Sequence, residues 1–136
     1  MAKVSGLGDY LAVDNSSGTP VDISNDVTSA TFSNGQDLAV ITGIDKSAQE
    51  RLATLADGSV SINGVFNSAS SHTVFSALGT ARTVTYCVGG NSGGNPKLTF
   101  EGLIENYDLE RGTDGTLNWS ASVQLSNGTA LAWSTV

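Results

Sequence analysis

The stretch KLTFEGLIENYDLERGTDGTLNWSASVQLSN, residues 97–127, carries the clearest structural signal in the chain. In its second half Leu117, Trp119, Ala121, Val123 and Leu125 alternate without a break with Thr116, Asn118, Ser120, Ser122 and Gln124. Successive side chains of a β-strand point to opposite faces, so this alternation predicts a strand with one buried face and one wet face. The first half is almost as long and leads into Glu110-Arg111-Gly112-Thr113-Asp114-Gly115, where Gly and Asp supply a turn. The two limbs read as one long hairpin. On the first limb Leu98, Phe100 and Ile104 share a face, whereas Leu103, Tyr107 and Leu109 share the other. Such a change of side between Gly102 and Glu105 predicts a β-bulge, or a strand passing from one packing environment to another. The wet face of the second limb holds no charge, no His, no Cys and no acid pair. It predicts a surface for assembly, with the rest of the chain as its support.

Upstream, Arg82–Val88 alternates as a strand, with Arg82, Val84, Tyr86 and Val88 on one face and Cys87, a small half-buried residue, on the other. The run GGNSGGNP, residues 89–96, connects it to the hairpin as a flexible segment. No Lys-Ser or Lys-Thr follows its last glycine and no helical pattern begins there, so it is not a phosphate-binding loop. Val74, Phe75 and Leu78 recur at helical spacing ahead of Gly79 and predict a short α-helix over 67–79, laid on a sheet. His72, the sole histidine, falls on its more polar side and reads as a surface or capping residue. Ser59–Phe66 alternates Val60, Ile62, Gly64 and Phe66 with polar neighbours, which predicts a strand. The preceding Asp45–Ala56 has helix-forming composition, a possible cap in Asp45 and an apolar side in Ala48, Leu52 and Leu55 or Ala56. It is either one helical turn, which we favour, or an extended linker. Thr28–Phe32 and Leu38–Ile44 flank Asn34-Gly35, a pair that tolerates positive φ, and predict a second hairpin. Leu7–Val13 and Val21–Ile23 predict two short strands around the turn cluster 14–20. The apolar, aromatic-bearing end 129–136 either adds an edge strand or docks on a partner.

At 136 residues the chain suits a single domain, 1–136, and 39% hydrophobic residues in short alternating runs favour an ordered, mainly β protein. A net charge of −7, with only Lys3, Lys46, Arg51, Arg82, Lys97 and Arg111 as scattered cations, argues against binding nucleic acid by neutralising phosphates. Ordinary solubility explains the acidity most simply; a surface that DNA slides past without sticking is the alternative. One Cys and one His leave no intramolecular disulfide, no Ser/His/Asp set and no zinc or haem spacing. The pairs Asp22/Asp26 and Glu101/Glu105 read as solvated strand and turn acids. We therefore expect no catalytic, cofactor-binding or metal-ligating residues, and no enzyme. The first residues lack the apolar core of a secretory leader, and no apolar run approaches the roughly 20 residues of a membrane-spanning helix.

One pattern is familiar. Glu50-Arg51-Leu52, Leu55-Ala56-Asp57-Gly58-Ser59 and Gly64-Val65-Phe66-Asn67 resemble the long loop and following strand of siphophage major tail (tail tube) proteins. The helix at 72–78, Asn106-Tyr107-Asp108 and the Asp114-Gly115-Thr116-Leu117 turn exit are similar too, and the resemblance covers most of 21–127. It implies a small β-sandwich or split barrel with one short α-helix and long hairpins, assembled as hexameric rings stacked into a tube. Under it, Thr28–Ile44 and Lys97–Asn127 would be barrel hairpins and Asp45–Asp57 a long stacking loop. Asp45, Lys46, Glu50, Arg51, Leu52 and Leu55 are then the candidate stacking residues, and Glu105, Asp108, Glu110, Asn118 and Ser120 the candidate channel lining. The implied partners are further copies of the chain, a tape measure protein within the tube, and tail terminator and distal tail proteins at its ends. DNA is implied only as transient, non-specific cargo, and the location as the virion tail, after synthesis in the host cytoplasm. The competing readings are a β-sandwich that decorates or completes a capsid or appendage, and a carbohydrate-binding adhesion module that stacks sugars on Trp119, Trp133 and Tyr107.

Overall fold

Among the described residues, eight strands form one antiparallel sheet that bends back on itself. The computed structural model describes residues 5, 7–15, 17–68, 74–75, 78–126 and 131–136. The strands are β1 (Tyr10–Asp14), β2 (Pro20–Asp22), β3 (Val27–Val40), β4 (Arg51–Val65), β5 (Ala81–Cys87), β6 (Pro96–Arg111), β7 (Leu117–Leu125) and β8 (Ala132–Thr135). Their order across the sheet is β2-β1-β5-β6-β7-β4-β3, with β8 also paired to β6. The sheet is mainly β, as the residue patterns predict, and it is not closed. The helix read over 67–79 falls largely outside the described residues, as does His72. Val74, Phe75 and Leu78 are described: Val74 and Phe75 are buried, whereas Leu78 is exposed rather than laid on the sheet.

β6 is the hinge of the architecture. Its first half pairs with β5 (Lys97–Leu103 against Cys87–Ala81) and with β8 (Pro96–Thr99 against Thr135–Ala132). Its second half pairs with β7, from Gly102↔Leu125 to Arg111↔Leu117, with a register shift between Ile104 and Asn106. This is the bulge that the switch of apolar side predicts. Leu98, Phe100 and Ile104 are buried before it, and Tyr107 turns onto the same core after it. The extra residue also bends the strand, so β6 belongs to two layers. β2-β1-β5 with the start of β6 and β8 make one layer; β3-β4-β7 with the end of β6 make the other. Phe32 of β3 and Tyr86 of β5 prove the fold-over. Four strand spacings of about 4.8 Å separate these strands along the sheet, yet their rings stack with centroids 4.8 Å apart. Burial, and then the hydrogen bond that the Tyr86 hydroxyl donates to the Asp9 carboxylate, push that hydroxyl up to about 12.

Val13, Val60, Ile62, Val84, Phe100, Ile104, Trp119 and Val123 fill the space between the layers. Trp119 is the anchor at the lower end. Its ring lies 5.4 Å from Phe75 and 5.5 Å from Tyr107, and its indole N–H donates to the Val65 carbonyl at 3.1 Å. Cys87 is fully buried rather than half-buried, and burial raises its thiol pKa.

Two sequence readings are corrected. The hairpin at Asn34-Gly35 does not form: β3 runs straight through it, with Asn34 opposite Gly58 and Gly35 opposite Asp57. Its true turn is the loop 41–50, so the hairpin is Val27–Val65 rather than Thr28–Ile44. The helical turn over Asp45–Ala56 is also absent. Residues from Arg51 onward are the start of β4, paired through Val40↔Arg51, Ala39↔Leu52 and Leu38↔Ala53, and Asp57 is strand rather than loop. Tertiary pairing overrides the helix-forming composition, as it commonly does in strands. The candidate stacking segment 45–57 is thus half loop and half ladder.

Two glycines inside β4 are set by close approach of their neighbours. A Cβ on Gly58 would sit 2.1 Å from Leu131 Cδ1, and one on Gly64 would sit 2.3 Å from the Asp26 carbonyl oxygen and 2.7 Å from the Trp119 ring. Gly35 meets nothing closer than 3.9 Å. Gly64→Ala is therefore expected to lower stability by about 3 kcal/mol, because backbone and indole cannot step aside. Gly35→Ala is expected to stay within about 0.5 kcal/mol of wild type, since its φ is not positive. Denaturant unfolding of both variants checks the pair; a large loss at Gly35 would restore the discarded turn.

Candidate assembly edges and channel face

The layer made of β3, β4, β7 and the end of β6 has alternating faces. Core-facing Phe32, Val60, Ile62, Trp119, Ala121 and Val123 lie on one side. Ser29, Thr31, Ser59, Ser61, Asn63, Asn118, Ser120, Ser122 and Gln124 occupy the intervening positions on the other. Register sets the rows: Asp108, Ser120, Asn63 and Ser29 cross the four strands at one level, and Glu110 and Asn118 pair at the next. Glu105 accepts a hydrogen bond from Gln124 Nε2 at 2.8 Å, which places it on the wet side as well. All five sequence-selected residues, Glu105, Asp108, Glu110, Asn118 and Ser120, therefore share one face. That face carries no Lys or Arg on these four strands.

The two borders of this layer are open. Among the described residues β3 pairs only with β4, and β6 beyond Ile104 pairs only with β7, because the β5–β6 pairing ends at Ala81↔Leu103. Unpaired strand borders attract further strands, and a monomer leaves them as an aggregation hazard. Alternating directions make β3 antiparallel to β6, so one copy's β3 can extend the next copy's β6 and keep the sheet antiparallel throughout. At the lower end the β6–β7 turn is rigidly built. The Asp114 carboxylate accepts from the Thr116 hydroxyl at 2.8 Å and its amide at 3.2 Å, which holds the carboxyl below its usual range.

At the upper end β3 and β4 continue past the body, since β4 leaves β7 at Ser59↔Gln124. Residues 36–56 form a two-stranded arm with Leu38, Val40, Ile41, Ile44, Leu52 and Leu55 exposed, Ile44 completely. Cross-strand partners share a face, so Leu38 opposite Ala53 and Leu52 opposite Ala39 put apolar side chains on both sides. A lone two-stranded ribbon is marginal in water, and this one is apolar. Of the candidate stacking residues, Asp45, Lys46 and Glu50 sit in the tip loop, linked by Lys46 contacts of 3.8 Å and 4.0 Å; Arg51, Leu52 and Leu55 lie on the strand. Sequence reasoning missed Leu38, Val40, Ile41 and Ile44, although the run Leu38-Ala39-Val40-Ile41 is the signal that exposes them. The end of the chain does add an edge strand, β8, docked on β6.

Other chemistries find little here. No group of three or more His, Cys, Asp or Glu could hold a metal among the described residues, and no helix among them is long and apolar enough to cross a membrane. Of the three aromatics a sugar could stack on, Trp119 is buried, Tyr107 is half-buried between Phe75 and Trp119, and Trp133 alone is well exposed.

No protein-family model matches the chain, and no curated protein matches it in sequence. Solved structures do match. The SPP1 tail tube aligns with a TM-score of 0.77 at 10% identity, covering 98% of this chain and 80% of that one. A chain from the tail of an empty gene transfer agent particle, with C6 symmetry, aligns at 0.73 and 16% identity, covering 98% and 99%. The chain has the tail-tube fold. A component of the six-fold baseplate of the anti-feeding prophage aligns at 0.64 and 12% identity, covering 98% and 96%.

Proposed function

We propose that this protein is the structural subunit of a phage-type tail tube, and performs no reaction. The observation that carries the reading is the four-stranded layer with two open, antiparallel borders and a wet face free of cations. Six copies, as in the C6 gene transfer agent tail, would join these layers into a barrel of twenty-four strands. At about 4.8 Å per strand and a tilt near 40°, such a barrel has a backbone diameter of roughly 45–50 Å. Side chains lining the wall narrow it, and a duplex still passes. Glu105, Asp108, Glu110, Asn118 and Ser120 line that channel, so each ring presents a wall of carboxylates and neutral polar groups. Like charge keeps phosphates from adhering while DNA moves through.

The arm stacks one ring on the next. Its exposed apolar side chains need cover that the subunit itself does not provide, and Asp45, Lys46, Glu50, Arg51, Leu52 and Leu55 lie on it or at its tip. A tape measure protein inside, terminator and distal tail proteins at the ends, and a place in the virion tail after synthesis in the host cytoplasm complete the reading.

Electron microscopy of the purified chain tests it, and tubes or rings are the expected result. Hydrogen exchange adds the molecular detail. Outward-facing amides of β3 and of 105–111 are expected to exchange freely in the monomer and at least 100-fold more slowly in tubes. A monodisperse monomer at all concentrations, or tubes with those amides unprotected, would remove the barrel.

A further inference from the structure

The lower end of the wet face holds a groove of about 390 Å³ that crosses all four strands of the layer. Thr28 of β3, Asn63 of β4, Asn118 and Ser120 of β7, and Asp108 and Glu110 of β6 line it. It thus offers two carboxylates and no cation. Asp108 accepts one hydrogen bond, from Asn106 Nδ2 at 2.7 Å. Glu110 is exposed and has no hydrogen bond or ion pair among the described residues.

The arm carries the complement at the other end of the molecule. Lys46 is already matched by Asp45 and Glu50. Arg51 is not: its Nη2 donates to Gln49 Oε1 at 3.0 Å, and it makes no ion pair among the described residues. Height decides which copy can bring the two together. The arm leaves the upper end of the layer and the groove lies at the lower end, so no copy reaches its own groove. Neighbours around one ring hold their grooves at the same low level. Only a copy in the ring above presents a groove to an upward-pointing arm. Length agrees: residues 36–40 alone extend about 17 Å, while Asp108 lies three residues, roughly 10 Å, from the end of β6 at Arg111.

We infer that the groove is the receptor for the arm of a second copy, with Arg51 seated between Asp108 and Glu110 of the adjacent ring. This rests on the stacked-ring reading and adds to it a named contact and a direction. It gives the six-fold wall an additional use for two of its carboxylates: one cation enters each pair, and the interface between rings becomes charge-matched and sensitive to salt.

The test measures the protein concentration at which full-length chain first forms tubes, by sedimentation and electron microscopy, at about 50 mM salt where screening is weak. Arg51→Glu is expected to raise that concentration tenfold or more, as is Asp108→Lys combined with Glu110→Lys. Glu110→Gln, which removes attraction without adding repulsion, is expected to raise it about threefold. Thermal melts of the unassembled variants should match wild type, since all three residues are outside the core. Joining Arg51→Glu to the two lysine substitutions is expected to bring assembly back to within about threefold of wild type. If Arg51→Glu assembles as wild type does, or if the combined variant is no better than its parts, the groove is not the receptor, although tubes still form. If a chelator of divalent cations disperses wild-type tubes while Arg51→Glu changes nothing, a metal ion occupies the groove and the inference is overturned. If wild type forms no tubes, the tube reading fails before this one.

Discussion

Excising the arm is expected to abolish tubes while leaving the subunit folded. Gln36 and Ala56 are opposite one another in the β3–β4 ladder, so an Asn-Gly linker can replace residues 37–55 as a two-residue hairpin turn. The excised residues contribute nothing to the core, where Val60, Ile62 and Phe32 remain in place. A thermal midpoint within a few degrees of wild type is the expected outcome. Assembly should suffer far more. Fully covering an exposed large apolar side chain is worth about 1.5–3 kcal/mol, so the six on the arm, four of them only just over half exposed, offer roughly 6–12 kcal/mol per subunit. That is of the order of the 4–15 kcal/mol that ordering one body on another costs. Without the arm the balance turns against stacking, and isolated rings or monomers should replace tubes in sedimentation and electron microscopy. Tubes of ordinary length from the excised chain would show that the ends of the body alone hold the rings together.

The same arm marks the boundary of what the residues reveal by themselves. Strands with one dry face and one wet face announce themselves: Val60-Ile62 on β4 and Trp119-Ala121-Val123 on β7 alternate because the core demands it. The bulge in β6 is legible for a related reason, since Ile104 and Tyr107 must both face inward and cannot do so without an extra residue. β3 gives no such signal. Ser29, Thr31 and Ser33 face solvent, Ala30 is exposed on the other side, Thr28 falls at a register shift, and Asn34-Gly35 resembles a turn. Its partner from Arg51 to Ala56 has the composition of a helix and becomes strand only through pairing with β3. Gly58 and Gly64 lie inside β4 because Leu131 and Trp119 approach them too closely for a side chain. That Glu105, Asp108, Glu110, Asn118 and Ser120 share one face was readable because β6 and β7 were. Thr28 and Asn63, which complete the groove, become neighbours of Asp108 only once strand order is known, and that order brings together segments 80 residues apart.

Trp119→Ala is expected to be the most damaging single substitution. The indole stacks on Tyr107 at 5.5 Å, meets Phe75 at a tilt at 5.4 Å, is 2% exposed, and satisfies the Val65 carbonyl. Emptying a site of this size costs about 3–5 kcal/mol, and the orphaned carbonyl adds about 1 kcal/mol or more. Against the 5–15 kcal/mol that holds a domain of this kind together, the loss amounts to a third or more of the total. The midpoint of thermal unfolding should fall by roughly 10–20 °C. Trp119→Phe keeps most of the ring and gives up the N–H, so a loss of about 2 kcal/mol separates the hydrogen bond from the cavity. The consequences reach assembly because Trp119 pairs with Leu109 on β6 and with Gly64 on β4. It fixes the lower ends of three of the four strands whose borders, in the proposed ring, meet a neighbour's. Loosening those ends lets the open edge of β6 from Glu105 to Arg111 wander relative to β3, and a ring closes only if both edges hold their spacing. Trp119→Ala should therefore lose rings at temperatures well below its own unfolding, seen as loss of sedimenting material while circular dichroism still reports β-structure. Coincident loss of rings and fold would instead make the indole a purely internal support, with the borders set independently of it.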